Sequence, residues 1–388
     1  MNNNKLMIAA AGSGKTTYLV CDALQKDDAN VLITTFTEAN ESEIRNRIIG
    51  KLGYVPKNIT IQTWFSFLLQ HGVRPYQSVL NDSIHDDDIS FFLTPEKSGK
   101  KYDKNGNPIL NAKGHPLFWG EKDFLKCYFT NSKKIYSDKI SRFVLAANKA
   151  AKGEVFSRIS RIFRHVYVDE VQDLAGYDLE LLKLLFKSSS SVLLVGDPRQ
   201  VTYYTHFTSK YKDFLEGNIK CFVQDKLGKS ITCEVDEKTL RFSHRNNQLI
   251  CDYSAKLYTN YPIPTFCNCP KCIREDKHQG VFIIKPKEVD RYIAQYSPVQ
   301  LRWSATTKVN PYTKAVNFGE SKGATEDRVL IYPTDSMKNW IRDNTYNLKS
   351  EARAKLYVGL TRARLSATII MDYDDDESFS GISKELAL

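Results

Sequence analysis

The first residues that could do chemistry form a glycine-rich loop near residue 10. An apolar stretch leads into a run that fits a phosphate-binding P-loop with alanine in the first glycine position: Ala9, Ala10, Ala11, Gly12, Ser13, Gly14, Lys15, Thr16 and Thr17. Glycines let backbone N–H groups wrap a phosphate at the start of a helix. We expect Lys15 to reach the terminal phosphates and the Thr16 hydroxyl to bind Mg²⁺. The loop therefore predicts a site for ATP and Mg²⁺.

Two adjacent carboxylates, Asp169 and Glu170, end another apolar stretch. Asp169 would hold Mg²⁺, usually through water, and Glu170 would orient or deprotonate the water that attacks the phosphate. An acidic pair at the end of a strand is also common as a solvated cap. Its place downstream of a P-loop, with Gln172 and Asp173 following, favours the catalytic interpretation.

A third polar group follows a third apolar stretch, at Gly196-Asp197-Pro198-Arg199-Gln200. The amide of Gln200 could sense the terminal phosphate, because an amide can donate to that phosphate and also bond the attacking water. Taken alone, Gly-Asp-Pro is also simply a good turn.

Short apolar runs separated by helical patterns must position these groups. Runs at 6–10, 31–35, 166–169 and 192–195 are rich in β-branched residues, as buried parallel strands are, and helical patterns cover 16–25 and 41–52. A second series has strand candidates at 281–284, 329–332 and 366–371. The alternation predicts an α/β fold made of two parallel-sheet domains, with helices on both faces of the sheets.

The domain limits follow from where this rhythm breaks. We predict a first domain at 1–230, a second at 231–372 and an acidic tail at 373–388 that frays. Residues 72–160 interrupt the first domain as an insertion, with a hairpin turn at Asn105-Gly106 and a basic helical stretch at 133–164. An apparent calcium loop beginning at Asp103 is rejected, because Pro108 replaces the turn glycine.

Composition sets only broad limits. The 388 residues carry a formal net charge of +10, which favours a polyanionic partner but is weak evidence alone. No apolar run is long enough to span a bilayer, and no signal peptide precedes the loop. We expect a soluble, cytoplasmic protein with reduced thiols.

Together these blocks resemble the motif series of superfamily 1 helicases of the UvrD/Rep group. In the first half, the similar blocks are Thr35-Phe36-Thr37 with Glu43, Ile44 and Arg47; Thr63-Trp64-Phe65-Ser66; Asp169-Glu170-Val171-Gln172-Asp173, which resembles DExQD; and Gly196-Asp197-Pro198-Arg199-Gln200, which resembles GDxxQ. In the second half they are Leu240-Arg241-Phe242-Ser243-His244-Arg245-Asn246, Gly319-Glu320-Ser321-Lys322-Gly323 and Tyr357-Val358-Gly359-Leu360-Thr361-Arg362-Ala363. The series runs from residue 9 to residue 363, nearly the whole chain.

The resemblance implies two RecA-like P-loop NTPase domains with ATP bound between them. Arg245 and Arg362 would act as arginine fingers, since a planar, always-charged guanidinium suits the developing phosphoryl charge. A lone arginine is more often a solvated surface charge, but the surrounding motifs favour the catalytic role. With Lys15, Glu170 and Gln200 they form the predicted catalytic set.

The resemblance also implies a path for single-stranded nucleic acid. Phe36, Trp64 and Tyr203 lie in blocks that line this path, where aromatic rings can stack on any base. Phosphate contacts would come from Thr37, Thr63, Ser321 and Lys322. For the aromatic residues, core packing is the competing interpretation.

The implied activity is that of an ATP-dependent single-stranded DNA translocase or helicase, of 3′-to-5′ polarity. The alternative is a DNA-sensing ATPase subunit that works with a nuclease or another effector in repair or anti-phage defence. The large insertion that UvrD/Rep proteins carry before the SKG block is absent, since only a short stretch separates Trp303 from Phe318. That absence favours the alternative, while the intact ATP motifs favour a motor.

Three cysteines cluster at Cys267, Cys269 and Cys272, with His278 nearby. This set could hold zinc. Because the ligand spacing is tight and no second Cys-x-x-Cys completes a standard finger, reduced and partly buried thiols are the favoured alternative.

Overall fold

A computed structural model describes residues 4–27, 29–205, 210–228 and 231–385 of the chain. Its strands, numbered in chain order, are β1 (Lys5–Ile8), β2 (Val31–Thr35), β3 (Ile59–Thr63), β4 (Phe91–Phe92), β5 (Ile135–Tyr136), β6 (His165–Val168), β7 (Ser191–Gly196), β8 (Glu234–Asp236), β9 (Phe242–Ser243), β10 (Thr265–Phe266), β11 (Gly280–Ile284), β12 (Val299–Arg302), β13 (Ala315–Asn317), β14 (Glu326–Ile331), β15 (Ala363–Ile370) and β16 (Ser383–Lys384).

The α-helices of the same residues are α1 (Lys15–Ala23), α2 (Glu38–Leu52), α3 (Trp64–Leu68), α4 (Gln77–Leu80), α5 (Phe124–Tyr128), α6 (Ser137–Ala150), α7 (Glu154–Ile162), α8 (Tyr177–Lys187), α9 (Ile219–Lys226), α10 (Gln248–Ala255), α11 (Val289–Tyr296), α12 (Asp335–Arg342) and α13 (Ser350–Leu360). None of the helices in the described residues is both long and apolar enough to cross a membrane.

The first sheet has the strand order β3-β2-β6-β7-β1-β8. Strand β2 pairs in parallel with β3 and with β6, and β6 pairs in parallel with β7. Strand β2 is buried along its whole length, as expected for a central parallel strand. Sequence reasoning missed β3, where buried and half-buried residues alternate because the strand lies at the edge.

The second sheet has the order β13-β12-β14-β15-β11-β16, and its strand pairs are parallel. Its core is built mainly from aliphatic residues of the strands and of the helices that cover them, including Ile283, Leu301, Val329, Leu356 and Ile369. Two parallel α/β sheets are thus confirmed as the architecture. The predicted strands at 281–284, 329–332 and 366–371 correspond to β11, β14 and β15.

Helix boundaries follow from local capping. Helix α2 was predicted to start at residue 41 but begins at Glu38, because the Thr37 side chain accepts a hydrogen bond from the Asn40 N–H. It ends at Leu52 and is capped by Gly53, whose φ of 81° is left-handed.

The predicted insertion at 72–160 contains the expected turn and helices. Antiparallel bridges join Tyr102 to Pro108 and Lys100 to Phe118, so the turn at Gly106 does close a hairpin-like loop. The Asp103 carboxylate accepts from the backbone N–H groups of Asn105 and Asn107, which are contacts of a turn. The basic stretch forms α6 and α7.

The acidic tail is docked over its described part, so the prediction that it frays was wrong. Strand β16 pairs with β11 at the edge of the second sheet. Phe379 is buried in the core of that sheet, and Lys384 bonds the backbone oxygens of Asp374 and Asp375. Pairing and apolar burial outweigh the entropy of a free end.

The chain divides into two compact units that are not contiguous in sequence. The first takes in the described residues of 1–6, 16–195 and 204–234, and the second those of 7–15, 196–203 and 235–388. The P-loop up to Lys15 and the GDPRQ block therefore group with the second half of the chain. The domain limits at 1–230, 231–372 and 373–388 stay a prediction.

Candidate nucleotide-binding site

The P-loop is shaped by two glycines in the left-handed region. Gly12 has a φ of 70° and Gly14 a φ of 81°. A Cβ atom at Gly12 would lie 2.5 Å from the Cβ of Arg245 and 2.9 Å from the Ser243 Oγ. Only glycine fits this position, since both the backbone conformation and the close neighbours exclude a side chain.

Backbone hydrogen bonds within the second unit hold the P-loop against the segment that carries Arg245. The His244 N–H donates to the Gly12 carbonyl at 2.9 Å, and the Ala10 N–H donates to the Leu240 carbonyl at 2.8 Å. The Arg245 guanidinium donates to the Thr361 carbonyl at 3.2 Å. Three predicted motif blocks, at 9–16, 240–246 and 357–363, therefore meet here.

A buried hydroxyl in the loop also indicates that the loop binds a phosphate. The Ser13 side chain is only 5% exposed, yet its hydroxyl has no hydrogen-bond partner among the described residues. A buried hydroxyl without a partner costs free energy, about 1–3 kcal/mol. A phosphate oxygen in the cradle made by Gly12 and Gly14 would supply the missing acceptor.

The residues predicted to hold Mg²⁺ lie together in the first unit. The Thr16 hydroxyl donates to Asp169 Oδ2 at 3.3 Å, at the carboxyl end of β6. The Asp169 backbone N–H donates to the Thr34 carbonyl at 2.8 Å, which fixes this strand end beside β2. A hydroxyl and a carboxylate are ligands that Mg²⁺ accepts. Neighbouring Thr17 is exposed, and its hydroxyl accepts from Arg47.

Glu170 has a strained backbone. Its φ of 54° is left-handed, which is uncommon for a residue with a side chain. Its carboxylate is buried and accepts a hydrogen bond from the Gln172 amide, and its N–H donates to Asp169 Oδ1 at 2.9 Å. The strained conformation turns the chain sharply after β6, and strain of this kind clusters at functional sites.

Asp197 organises the polar cluster after β7. Its carboxylate is fully buried and accepts from Arg199 Nε at 2.7 Å, from the Gln200 amide at 2.8 Å and from the Tyr357 hydroxyl at 3.3 Å. Arg199 in turn donates to the Ala9 carbonyl at 3.0 Å. The buried carboxylate thus ties the P-loop strand, Gln200 and α13 together.

Ionisation in this cluster follows from burial and pairing. Burial opposes the charged form of Arg199, but the adjacent Asp197 carboxylate, together with Tyr357 and Tyr261, outweighs burial and raises the pKa of Arg199 above its ordinary value. Burial raises the pKa of Tyr357 well above its ordinary value, so this side chain stays a neutral donor to Asp197.

Arg362 is buried, which argues against a solvated surface charge. Its side chain is 1% exposed and donates to Gln200 Oε1 at 3.1 Å. It also donates to the carbonyls of Val358, Ser321 and Ala324. The structure therefore joins two predicted catalytic residues, Gln200 and Arg362, by a direct hydrogen bond.

Sequence reasoning missed Asp197, Arg199 and Tyr357 as members of this network. Asp197 and Arg199 stood in the GDPRQ block, where only Gln200 was given a role. Two opposite charges two residues apart, directly after a buried strand, were an available signal. Tyr357 stood at the start of the 357–363 block, where only Arg362 was given a role.

The sequence of the chain matches a known protein family. A family model described as AAA domain matches residues 1–206, more than half of the 388 residues. The chain belongs to this family.

Two relatives are similar to this chain in sequence and indicate its group within the family. The Gabija protein GajB of Bacillus cereus (strain VD045) is 29% identical over 209 residues, which is 52% of this chain and 38% of that protein. The ATP-dependent DNA helicase Rep of Buchnera aphidicola subsp. Acyrthosiphon pisum (strain APS) is 27% identical over 240 residues, with 52% of this chain and 36% of that protein covered. With the motif series, these matches identify the chain as a UvrD/Rep-like protein. It spans little more than a third of the length of these relatives.

The solved structures that match the chain have lower sequence identity. The complex of Arterivirus nonstructural protein 10 (helicase) with DNA is 13% identical, has a TM-score of 0.42, and is matched over 96% of this chain and 62% of that one.

In this UvrD/Rep-like chain, the aromatic residues predicted to stack on bases have different environments. Trp64 is 1% exposed, and its indole N–H donates to Asp178 Oδ1 at 2.8 Å. Its ring therefore belongs to the core in this conformation. Phe36 is half-buried and packs edge-on against Phe65, with ring centroids 5.6 Å apart.

The residues predicted to contact phosphates make hydrogen bonds or ring contacts within the protein. Thr37 and Thr63 cap the helices α2 and α3 through their side-chain oxygens. The Ser321 hydroxyl is buried and donates to the Phe318 carbonyl at 2.8 Å. Lys322 lies over the ring of Tyr203, with its Nζ 5.1 Å from the ring centroid. Lys322 and Tyr203 are brought together, and the contacts of all these residues with nucleic acid stay predictions.

His278 is not part of the cysteine cluster. Its ring stacks on Phe282 and Tyr296 and bonds Glu385 at 2.9 Å and Arg328 at 2.9 Å. The histidine that lies with Cys267, Cys269 and Cys272 is His244, so the sequence-based choice of His278 was wrong.

Proposed function

We propose that this chain hydrolyses ATP and uses the energy to move along single-stranded DNA. The observation that carries the proposal is the assembly of Gly12, Arg245, Gln200 and Arg362, which brings a P-loop and two arginines of the second half into one network. A phosphate-binding loop alone would suit many ATPases. Arginines held against it favour a motor whose turnover depends on domain closure.

The P-loop would hold the nucleotide through backbone N–H groups and through Lys15. Mg²⁺ bound to ATP would neutralise charge on the phosphates during transfer to water. Thr16 and Asp169 are the residues that would hold this ion, Asp169 usually through water. Their hydrogen bond already places a hydroxyl and a carboxylate side by side.

Glu170 is the candidate for orienting the attacking water and accepting its proton. The turn at its left-handed φ fixes the carboxylate, and the Gln172 amide holds it. A buried, hydrogen-bonded carboxylate is pre-organised, which is what a positioned base requires.

Gln200 and Arg362 would couple phosphate binding to the second half of the chain. Gln200 is oriented by Asp197, and its Oε1 accepts from Arg362. When ATP binds, the Arg362 guanidinium would exchange this amide oxygen for a phosphate oxygen, and Gln200 Oε1 would then accept from the attacking water. Arg362 would then stabilise negative charge that develops on the phosphate, together with Arg245.

DNA as the track and strand separation are finer proposals that rest on the similarity to the DNA helicase Rep and, for the track, on the formal charge of +10. The 3′-to-5′ polarity rests only on the resemblance of the motif series to UvrD/Rep helicases. The second candidate function is an ATPase subunit that senses DNA beside a nuclease or another effector. It is favoured by the short 303–318 stretch, where the large insertion of UvrD/Rep proteins is absent.

The test of turnover uses the whole chain with Mg²⁺ and ATP. We expect the variants Lys15→Ala and Glu170→Gln to lose ATP hydrolysis by about 10³-fold or more, because each removes a group that acts on the phosphate or on water. Both should retain measurable binding to a labelled single strand. Lys57→Ala, at an exposed lysine, is the matched control and should turn over like the parent. Hydrolysis that survives in Lys15→Ala refutes the site.

Strand separation distinguishes the two candidate functions. The purified chain should displace the labelled strand of a duplex with a 3′ single-stranded tail and not of one with a 5′ tail. Strong ATP hydrolysis with no displacement of either substrate favours the partnered subunit instead.

A further inference from the structure

Four side chains with metal-ligand atoms converge beside the segment that carries Arg245. The ring nitrogen or sulfur atoms of His244, Cys267, Cys269 and Cys272 all lie within 4.8 Å of one another. The Cys272 Sγ is 3.4 Å from the Cys269 Sγ and 3.6 Å from the His244 Nδ1. All four belong to the second unit.

The two distances from Cys272 are close to those of a tetrahedral zinc site. With Zn–S near 2.3 Å and Zn–N near 2.0 Å, neighbouring ligand atoms of a tetrahedron are separated by roughly 3.5–3.8 Å. A disulfide between Cys269 and Cys272 would need sulfur atoms about 2.05 Å apart. The cysteines are free in the structure, so the thiols remain available as ligands.

Backbone hydrogen bonds place these ligands independently of any contact between the thiols. Strands β9 and β10 pair in parallel, and the Cys267 N–H donates to the Ser243 carbonyl at 2.8 Å, which sets Cys267 beside His244. A tight turn then returns the chain, since the Cys272 N–H donates to the Cys269 carbonyl at 2.8 Å. Such pre-organisation lowers the entropy that metal binding must overcome.

We propose that His244, Cys267, Cys269 and Cys272 bind a structural Zn²⁺ ion. Four protein ligands close the coordination shell and leave no position for a substrate, as in structural sites. On binding, the three thiols release their protons to solvent, and His244 binds as a neutral imidazole.

The site would fix the segment that presses against the P-loop. His244 is both a ligand and the donor of the backbone hydrogen bond to Gly12, and it directly precedes Arg245. Zinc would therefore hold the backbone that positions Arg245. This consequence rests on the proposed function, whereas the zinc site itself does not.

Zinc content of the full chain is the primary test. We expect the purified protein to carry zinc in equimolar amount by inductively coupled plasma mass spectrometry. Cys272→Ser and His244→Ala should lose it, and His244→Cys should retain it, because a thiolate can replace the imidazole. Cys221→Ser, at an exposed cysteine outside the cluster, and His278→Gln should also retain it. A parent protein that holds no zinc and takes up none from added Zn²⁺ against a weak chelator overturns the proposal.

A second readout does not depend on variants that could misfold. The parent chain loaded with Co²⁺ should show the visible absorption of a tetrahedral ion and sulfur-to-metal charge-transfer bands. The weak absorption of octahedral Co²⁺, without those bands, would contradict a site made of three cysteines and one histidine.

ATP hydrolysis separates this inference from the proposed function. His244→Ala should lower turnover at least tenfold, and His244→Cys should restore both zinc and turnover. If His244→Ala loses zinc but keeps full turnover, the link to Arg245 is wrong and the zinc site stands. If the parent binds zinc but hydrolyses no ATP, the proposed function fails while the zinc site again stands.

Discussion

Asp197 illustrates, at the scale of single residues, how a buried charge can be tolerated and used. Its carboxylate is satisfied by Arg199, Gln200 and Tyr357. A buried carboxylate left without such partners would cost several kcal/mol. The same hydrogen bonds hold the Gln200 amide in the position where its Oε1 accepts a hydrogen bond from Arg362. The network therefore orders the residues that we propose to act on phosphate.

Arg362 gives the sharpest prediction at this scale. Replacing it with lysine keeps a positive charge but removes the planar fork that donates to Gln200 and to three carbonyls. We expect Arg362→Lys to lower kcat by about 10³-fold, with ATP binding through Lys15 retained. Measurement of kcat and of nucleotide affinity, with a melting curve, tests this.

The matched control is Arg364→Lys, two residues away, where the arginine is 40% exposed and pairs with Asp327 at 3.2 Å. That change should leave kcat within about twofold of the parent, since exposed ion pairs contribute little. Parent-like turnover in Arg362→Lys would show that Arg362 is only structural.

Residue types and order were sufficient to find Lys15, Thr16, Asp169 and Gln200 as candidates, because their chemistry needs particular side chains after particular strands. Arg362 became a candidate only through the resemblance of its block to a helicase motif. They could not show that Asp197 holds Gln200, or that His244 and not His278 joins the cysteines. Those facts depend on contacts between segments distant in sequence.

At the scale of elements, the P-loop depends on one close approach of backbone to backbone. Gly12→Ala would place a Cβ atom 2.5 Å from that of Arg245 and would keep a φ of 70° that alanine rarely adopts. We expect the loop and the 243–245 segment to separate, with turnover falling close to the level of Lys15→Ala. ATP hydrolysis measured with saturating nucleotide tests this.

Gly50→Ala is the control for this change, since nothing lies within 4 Å of the added atom in α2. It should leave turnover unchanged and raise the free energy of unfolding by about 0.5–1 kcal/mol. Equal activity of the two alanine variants would mean that the close approach at Gly12 does not matter for function.

Trp64 and Phe36 provide a second prediction at the scale of elements. Trp64→Phe keeps an apolar ring but removes the N–H that bonds Asp178, so we expect the free energy of unfolding to fall by about 1–3 kcal/mol. Affinity for single-stranded DNA should stay unchanged. Phe36→Leu should do the reverse, because it keeps apolar volume and removes the π-face, with about 1–3 kcal/mol of binding lost.

Fluorescence anisotropy with an oligothymidylate and chemical unfolding of the same samples decide between these effects. A large loss of affinity in Trp64→Phe, with stability intact, would restore Trp64 to the nucleic-acid track and contradict its assignment to the core.

The elements were predictable where apolar residues follow one another, as in β2, β7 and β11. The edge strand β3 escaped notice because three of its five residues are polar. The acidic tail was predicted to fray, but it is docked because β16 pairs with β11 and Phe379 is buried. In both cases the partner strand, not the local sequence, decides the structure.

At the scale of the molecule, residues far apart in sequence converge on the P-loop. Gly12, Arg245, Gln200 and Arg362 span most of the chain and belong to one compact unit. The formal charge of +10 would attract a polyanionic track. The similarity to the helicase Rep and to the Gabija protein GajB covers little more than a third of either relative.

The most direct test is a structure of the chain bound to a non-hydrolysable ATP analogue, Mg²⁺ and an oligothymidylate. We predict that Lys15 Nζ and the guanidinium groups of Arg245 and Arg362 each lie within about 3.2 Å of a phosphate oxygen. Arg362 should have exchanged its bond with Gln200 for one with the nucleotide. A nucleotide bound at Lys15 while both arginines stay beyond hydrogen-bonding distance would contradict the account.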